Sequence, residues 1–217
     1  MTSGISHPDL SGAAAPGDSS ALGHAARVHV RSGLTDRARY LARNLLLFGA
    51  NRVIGQLPGH ALRLAYYRRA LGWRIGERTS IHHGLKIFGG RGRVTLGNRS
   101  TFQMDCLIVG AGMDDLVVGD NVAIAYRVNL LLGSHDIFSP TFNGITGPIM
   151  IEDRVFVGTG ATILLGVTLG EGTVVTAGSV VSKSTPPFSI VRGNPASVVG
   201  RRPRNLDFSA EHFWAFH

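Results

Sequence analysis

A repeat of six residues begins at Ile75 and continues, with three interruptions, to residue 186. Each of its fifteen hexads opens with an apolar residue, and these openings are Ile75, Ile81, Ile87, Leu96, Phe102, Ile108, Val118, Ile124, Leu130, Ile151, Val157, Ile163, Leu169, Val175 and Val181. A six-residue unit is too small to bury a core of its own, so only stacking on its neighbours can stabilise it. The repeat therefore predicts a solenoid.

The geometry of the solenoid follows from the spacing. Six residues make one short strand and one turn, so three hexads make a triangular coil with the opening residue inside the prism and parallel ladders between coils. The fifth residue, near the corner, is mostly small or β-branched: Thr79, Ser100, Cys106, Val122, Val128, Ser134, Val155, Ala161, Val167, Thr173 and Ser179. Five coils are predicted, over residues 75–92, 96–113, 118–135, 151–168 and 169–186. The breaks all follow a third hexad and so share one edge.

Composition agrees with an all-β chain rich in turns. Glycine is abundant at 29 residues, and only 17% of residues are charged. Cys106 is the single cysteine, which excludes an internal disulfide and a Cys-rich zinc site and favours a reducing compartment. The first residues lack the apolar core of a secretion signal, and no apolar run is long enough to span a bilayer. We therefore expect a cytoplasmic protein.

Four segments are predicted along the chain. Residues 1–33 are rich in Ala, Gly, Ser and Pro and read as a disordered tail. Residues 34–72 show helical spacing and form a helical cap. Residues 73–200 hold the solenoid with a loop insertion at 136–150, and residues 201–217 form a short C-terminal tail.

The helical segment is strongly basic. The net charge is +8, and half of all Lys and Arg residues lie between Arg27 and Arg78. Such an excess of positive charge can attract nucleic acid, an anionic membrane or a phosphorylated cofactor. Stacking aromatics are not interleaved with the basic residues, so we expect no nucleic-acid partner. The segment could cap the open edge of the first coil or touch a membrane, and capping is the simpler interpretation that we favour.

The stretch "GPIMIEDRVFVGTGATILLGVTLGEGTVVTAGSVVSKSTPPFSIVRGNPASVV" carries a family resemblance. It resembles the hexapeptide-repeat acyltransferases, and most of all the CoA-dependent sugar O-acetyltransferases of the maltose, galactoside, nodulation-factor and exopolysaccharide type. The resemblance covers residues 75–200. It implies an all-β solenoid of the left-handed parallel β-helix type, a homotrimer, and acetyl-CoA as acyl donor in grooves between neighbouring prisms. It implies no metal.

His135 ends the third predicted coil, just before the insertion. In the family that this chain resembles, a histidine at this place acts as general base, and the loop at 136–147 would reach a neighbouring subunit. The chemistry requires such a group, because an alcohol is barely ionised at neutral pH. Imidazole, with an ordinary pKa near 6.5, can take the proton and pass it to the departing thiolate. A surface turn histidine is the alternative, and we favour the catalytic role.

Three further positions match family sites. Asp105 lies where some members place an asparagine that holds the acceptor hydroxyl; an aspartate there could instead orient the imidazole or stabilise its charge, or be only a solvated corner residue. Thr159 and Ala177 match positions that line the pantetheine groove, where a long side chain would block the arm of the cofactor.

The nucleotide end of acetyl-CoA is expected at Ser182 and Lys183, with Lys183 supplying positive charge to a phosphate. Gly200 stands where some relatives have an arginine for the cofactor. Arg201 or Arg202 could take over that contact, and we assign Arg201.

Four functions compete for this scaffold. The leading one is an acetyl-CoA-dependent O-acetyltransferase acting on a sugar or a sugar-bearing small molecule, with direct transfer in a ternary complex. An N-acetyltransferase on an amino sugar is the nearest alternative. A γ-type carbonic anhydrase needs three converging histidines, whereas His82 and His83 are adjacent and far in sequence from His135. A non-catalytic solenoid does not account for His135 together with the C-terminal motif.

Overall fold

The structure, a computed structural model, describes residues 34–90 and 93–211. Within these residues, three parallel sheets form the walls of a triangular prism. The first sheet contains β1 (Arg74–Ile75), β4 (Val94–Leu96), β7 (Leu116–Val118), β12 (Ile149–Ile151) and β15 (Thr168–Leu169). The second contains β2 (Ser80–Ile81), β5 (Thr101–Phe102), β8 (Ala123–Ile124), β13 (Phe156–Val157), β16 (Val174–Val175), β18 (Ser189–Gly193) and the antiparallel β19 (Ala196–Arg201). The third contains β3 (Lys86–Gly89), β6 (Leu107–Ala111), β9 (Asn129–Leu131), β14 (Thr162–Leu164) and β17 (Val180–Val181).

The register of the sheets follows the hexads. In the first sheet the chain of Cα partners runs through Ile75, Leu96, Val118, Ile151 and Leu169, and the openings in the other two sheets align in the same way. Every opening residue is buried except Ile75, which is half-buried at the open end. The predicted solenoid is therefore confirmed, with the strands of five coils in the described residues and the start of a sixth at β18.

The corners of the prism are tight turns. We name them edge 1/2, edge 2/3 and edge 3/1 after the sheets that they join. In eleven of the fifteen hexads the fourth residue takes a positive φ, and six of these residues are not glycine: Arg78, Arg99, Asp105, Asn121, Arg127 and Arg154. Ten of the eleven predicted fifth-position residues are buried. Ser134 is exposed instead, because the chain leaves the coil after the buried Leu132.

Two helices close the open end of the first coil. They are α1 (Leu34–Arg52) and α2 (His60–Arg69), with a short 3-10 turn at Ile54–Gln56 between them. The side-chain amide of Asn51 donates to the Ile87 carbonyl and accepts from the Ile87 N–H, both at 2.8 Å, as a neighbouring strand would.

Two arginines of α2 complete the closure of the first coil. Arg63 donates to the Ile81 carbonyl at 3.2 Å, and Arg68 donates to the Ile75 carbonyl at 2.9 Å. Each sheet of the first coil thus receives a side chain at the edge where another strand would otherwise be needed.

Replacing Asn51 by alanine removes both hydrogen bonds to Ile87. Two backbone groups beside the core then lose their partners, and we expect a loss of about 2 kcal/mol in the free energy of unfolding. Urea denaturation checks this. Asn44→Ala, on the same helix, is the matched control and should change stability by less than about 0.5 kcal/mol. Equal stability of the two variants would contradict the capping role of Asn51.

The C-terminal part of the described chain returns over the prism. Arg202 donates to the carbonyls of Arg154 at 2.9 Å and Gly172 at 3.3 Å, and its guanidinium lies over the Phe208 ring. In the described ranges, no helix has the length and apolar character needed to cross a membrane. The predicted disordered tail, residues 1–33, lies outside the described residues, as do residues 212–217.

Candidate active site

The insertion at edge 3/1 forms a β-hairpin, which we call the arm. It consists of β10 (Gly133–His135), β11 (Gly144–Thr146) and the turn between them. At its base, Leu132 donates to the Val109 carbonyl at 2.8 Å, and Gly147 donates to the Leu132 carbonyl at 3.0 Å. These bonds hold the two ends of the arm together on the third sheet, so the chain re-enters the next coil in register.

His135 lies at the end of β10 and is exposed. Its ring stacks on Phe142, with a centroid distance of 4.4 Å and an interplanar angle of 4°. Its Nδ1 lies 3.0 Å from the Phe142 carbonyl oxygen. A carbonyl oxygen only accepts, so Nδ1 must carry the hydrogen of this bond. The neutral ring therefore leaves its Nε2 lone pair available to take a proton.

A groove of about 420 Å³ runs between the arm and the end of the third sheet. Phe88, Met113 and Ile145 give it apolar walls, while Ser134, His135 and Thr146 add polar groups. Backbone at four glycines completes the lining: Gly89, Gly110, Gly133 and Gly144. A concave site with apolar walls and few polar groups is suited to a small ligand. The sequence predicted His135 as a site residue. It did not predict that Phe88 and Met113 line the groove or that Phe142 stacks on His135.

Asp105 lies on a different edge of the prism. It occupies the turn between β5 and β6 at edge 2/3, with φ at 61°, whereas His135 stands at edge 3/1. A Cβ added to Gly84 would come within 2.2 Å of the Asp105 carboxylate oxygen, so the carboxylate lies against that backbone. Within one chain, the structure does not bring Asp105 to His135.

Thr159 and Ala177 stack on edge 2/3 in neighbouring coils. The Gly178 N–H donates to the Thr159 carbonyl at 2.9 Å, which joins the two turns. A Cβ added at Gly160 or Gly178 would have no atom of the described chain within 4 Å. This part of the edge is therefore open and free of long side chains, as a pantetheine arm requires.

Thr159 also borders a second groove, of about 540 Å³, on the outer face of the second sheet. Tyr126, Phe156 and Phe208 are among its walls. The sequence did not predict this groove, because Phe208, which helps to close it, lies 52 residues after Phe156 on the opposite wall.

The remaining residues predicted to bind the cofactor lie at two different edges of the prism. Ser182 and Lys183 follow β17 at edge 3/1, where both are exposed, on the same edge as His135. Arg201 pairs with Ser189 at the start of β18, beside edge 1/2, and is also exposed. Arg202, the alternative to Arg201, is engaged with backbone carbonyls, and burial lowers the pKa of its guanidinium.

The thiol of Cys106 is not a nucleophile in this site. Cys106 is 1% exposed, and burial raises the pKa of its thiol to about 12. A thiolate is the reactive form, so this group stays protonated and inert near neutral pH. Within residues 34–90 and 93–211, no cluster of three or more His, Cys, Asp or Glu side chains could hold a metal ion.

Comparison with known proteins supports the family that the hexapeptide repeat indicates. The family model described as hexapeptide repeat of succinyl-transferase matches residues 148–183. WcaF of Escherichia coli, assigned as a colanic acid biosynthesis acetyltransferase, is 34% identical over 138 residues, which cover 64% of this chain and 74% of WcaF.

Solved structures show the same architecture. The hexapeptide-repeat containing acetyltransferase VCA0836 from Vibrio cholerae, complexed with acetyl coenzyme A, matches with a TM-score of 0.67 at 25% identity, over 79% of this chain and 91% of that one. A maltose O-acetyltransferase from Clostridium difficile gives a TM-score of 0.67 at 23% identity, over 85% of this chain and 96% of that one, a likeness of fold. The prism is thus a left-handed β-helix of the hexapeptide-repeat transferase class. The chain belongs to the hexapeptide-repeat acetyltransferase family.

Proposed function

We propose that this protein is an acetyl-CoA-dependent O-acetyltransferase that acetylates a hydroxyl of a sugar or sugar-bearing small molecule, with His135 as general base. The bond between His135 Nδ1 and the Phe142 carbonyl carries this proposal, because it fixes the tautomer that presents a basic Nε2. The relative complexed with acetyl coenzyme A supports the donor. The relative assigned to colanic acid biosynthesis supports a saccharide acceptor.

The acetyl group passes directly from the thioester to the acceptor, and the proton that His135 takes is returned to the leaving sulfur. His135 Nε2 takes the proton from the acceptor hydroxyl as its oxygen attacks the thioester carbonyl carbon. The tetrahedral intermediate then expels the thiolate, the carbon–sulfur bond breaks, and His135 Nε2–H donates its proton to the leaving sulfur. The Phe142 carbonyl and ring hold the imidazole in place through both steps, and the charged imidazolium keeps its hydrogen bond at Nδ1.

Under this proposal, a complete active site contains residues from two copies of the chain. His135, Ser182 and Lys183 share edge 3/1, whereas Asp105, Thr159 and Ala177 share edge 2/3. In a ring of three prisms, a contact joins different faces of neighbouring copies, so edge 3/1 of one can meet edge 2/3 of the next.

The arm supports the same arrangement. Ile137 and Phe138 are 73% and 90% exposed at its turn, as expected for side chains that pack on a second prism. We therefore propose a homotrimer, with acetyl-CoA held between copies.

The acceptor test uses acetyl-CoA labelled in the acetyl group and a panel of saccharides and amino sugars. We expect label in a product, separated from acetyl-CoA, that alkaline hydroxylamine cleaves, because an oxygen ester is labile to it and an amide is not. A hydroxylamine-stable product formed only with amino sugars would replace the O-acetyl proposal by N-acetyl transfer. His135→Asn, which replaces the imidazole by a polar amide that is not a base, is the control and should give no enzymatic product.

Lys183→Ala should raise KM for acetyl-CoA roughly tenfold while kcat changes little, because the ammonium would meet a phosphate far from the thioester. Steady-state kinetics at saturating acceptor check this. Arg192→Ala removes another exposed cation and serves as the matched control, with KM unchanged. An unaltered KM in Lys183→Ala would remove Lys183 from the cofactor site.

A further inference from the structure

Helix α1 has two apolar faces, although capping the prism requires only one. Leu47 and Ala50 face inward and are 7% and 0% exposed in the core beneath the helix. Leu41, Leu45 and Phe48 are 61%, 70% and 61% exposed. Their spacing of four and three residues puts them on one face. Because the opposite face packs on the first coil, these three side chains point away from the coils.

Arginines bracket this exposed face. Arg37 stands four residues before Leu41 and Arg52 four residues after Phe48, and both are exposed. We call Arg37, Leu41, Leu45, Phe48 and Arg52 the outer stripe. At 1.5 Å per residue it is about 22 Å long. An apolar centre with arginines at its ends suits a helix that lies in a membrane interface, where the long side chains reach the headgroups.

The charge of the chain is concentrated at the same end. Residues 34–90 contain ten Lys and Arg against two Asp and Glu, whereas residues 93–211 contain nine against ten. The capped end is therefore strongly positive and the rest of the described chain nearly neutral. An anionic surface complements this end. A second copy docked through the same stripe would bring two like-charged ends together, which disfavours self-association there.

We propose that the outer stripe docks this protein on an anionic phospholipid bilayer, with α1 parallel to the membrane plane. The surface is distinct from the groove beside His135 and does not depend on the acetyltransferase mechanism. The two are neighbours, however, because that groove reaches Phe88 on β3, and Asn51 of α1 covers the edge of the same strand. Docking would therefore hold the groove beside the lipid surface.

Vesicle co-sedimentation of the full-length protein tests this. The probes are vesicles of phosphatidylcholine alone and vesicles with about 30 mol% phosphatidylglycerol. We expect binding to the anionic vesicles to be roughly tenfold stronger or more, and to weaken as salt is raised. Equal binding to both compositions, or no binding to the anionic vesicles, would overturn the proposal.

Two pairs of variants separate the apolar and charged contributions. Leu45→Asn with Phe48→Asn should weaken binding to anionic vesicles by more than about tenfold. Arg37→Gln and Arg52→Gln should each weaken it about fivefold. Val198→Asn and Arg192→Gln, at exposed positions on the far coils, are the matched controls and should bind as the unaltered protein does.

The folding and assembly of these variants must be measured beside the vesicles. All four substituted stripe positions are exposed, so circular dichroism and the melting temperature should be unchanged. Controls that lose binding as strongly as the stripe variants would overturn the proposal. So would stripe variants that shift the assembly to a smaller species in ultracentrifugation without vesicle binding, because the stripe would then be a contact between copies.

Discussion

His135→Ala should lower kcat by roughly two to four orders of magnitude, the usual contribution of a general base. Without the imidazole, the acceptor hydroxyl must lose its proton to water, and the leaving thiolate has no positioned acid. KM for acetyl-CoA should change little, since Nε2 meets the acceptor rather than the nucleotide. The measurement is steady-state kinetics with a proven acceptor.

The exposure of His135 makes this variant a clean test. The ring stacks only within the arm and fills no part of the prism, so the melting temperature should be unchanged. Thr141→Ala alters the arm without touching the ring and is the matched control, with near-native kcat. Turnover of the His135→Ala variant close to the native value would remove the catalytic role.

Mixing two impaired variants should restore activity if the site spans two chains. Asp105→Ala is expected to lower kcat by about one to two orders of magnitude, because Asp105 would face the imidazole of the neighbouring copy. When this variant is co-expressed with His135→Ala, random assembly gives about a quarter of the sites an unaltered His135 and an unaltered Asp105. Activity should therefore return to about a quarter of the native value.

Two measurements make the mixing experiment decisive. Sedimentation should first show a trimer for each variant. Co-expression of His135→Ala with His135→Asn is the control, and it should remain inactive because no site regains its base. If Asp105→Ala is impaired as expected and the mixture is no more active than Asp105→Ala alone, the site does not draw these residues from different chains.

Much of the fold could be predicted because the period of the hexads determines which residues face the core. An opening residue such as Ile108 must point inward in every coil, so a period of six fixes the sheet, the face and the register together. Ser134 breaks the pattern for a local reason, since two adjacent backbone bonds at Leu132 redirect the chain into the arm. The cap at Asn51 could not be predicted, because its partner Ile87 lies 36 residues away and the bond depends on how the helix docks.

The sequence singles out His135 as a candidate site residue, but it does not predict the side chains that surround it. His135 stood out because it ends a coil beside an insertion. The sequence gives no sign that Phe142 would stack on it, since an aromatic residue in a polar loop has many possible positions. Nor does a spacing of thirty residues reveal that Asp105 and His135 leave the prism at different edges. The register of the hexads does reveal it, because Asp105 is the fourth residue of a second hexad and His135 is the last residue of a third.

The stacking of coils also sets the distances along the prism axis between residues at the same edge. His135 and Lys183 leave the same edge two coils apart, a separation of about 10 Å along the prism axis. Inserting or deleting a coil between them would change that distance in steps of about 4.8 Å, with no intermediate values. A lineage built on this scaffold can therefore not adjust the separation gradually. On the proposed function, finer changes in acceptor size would come from the length and side chains of the arm, because its two ends are joined at Leu132 and the coils above and below do not depend on its length.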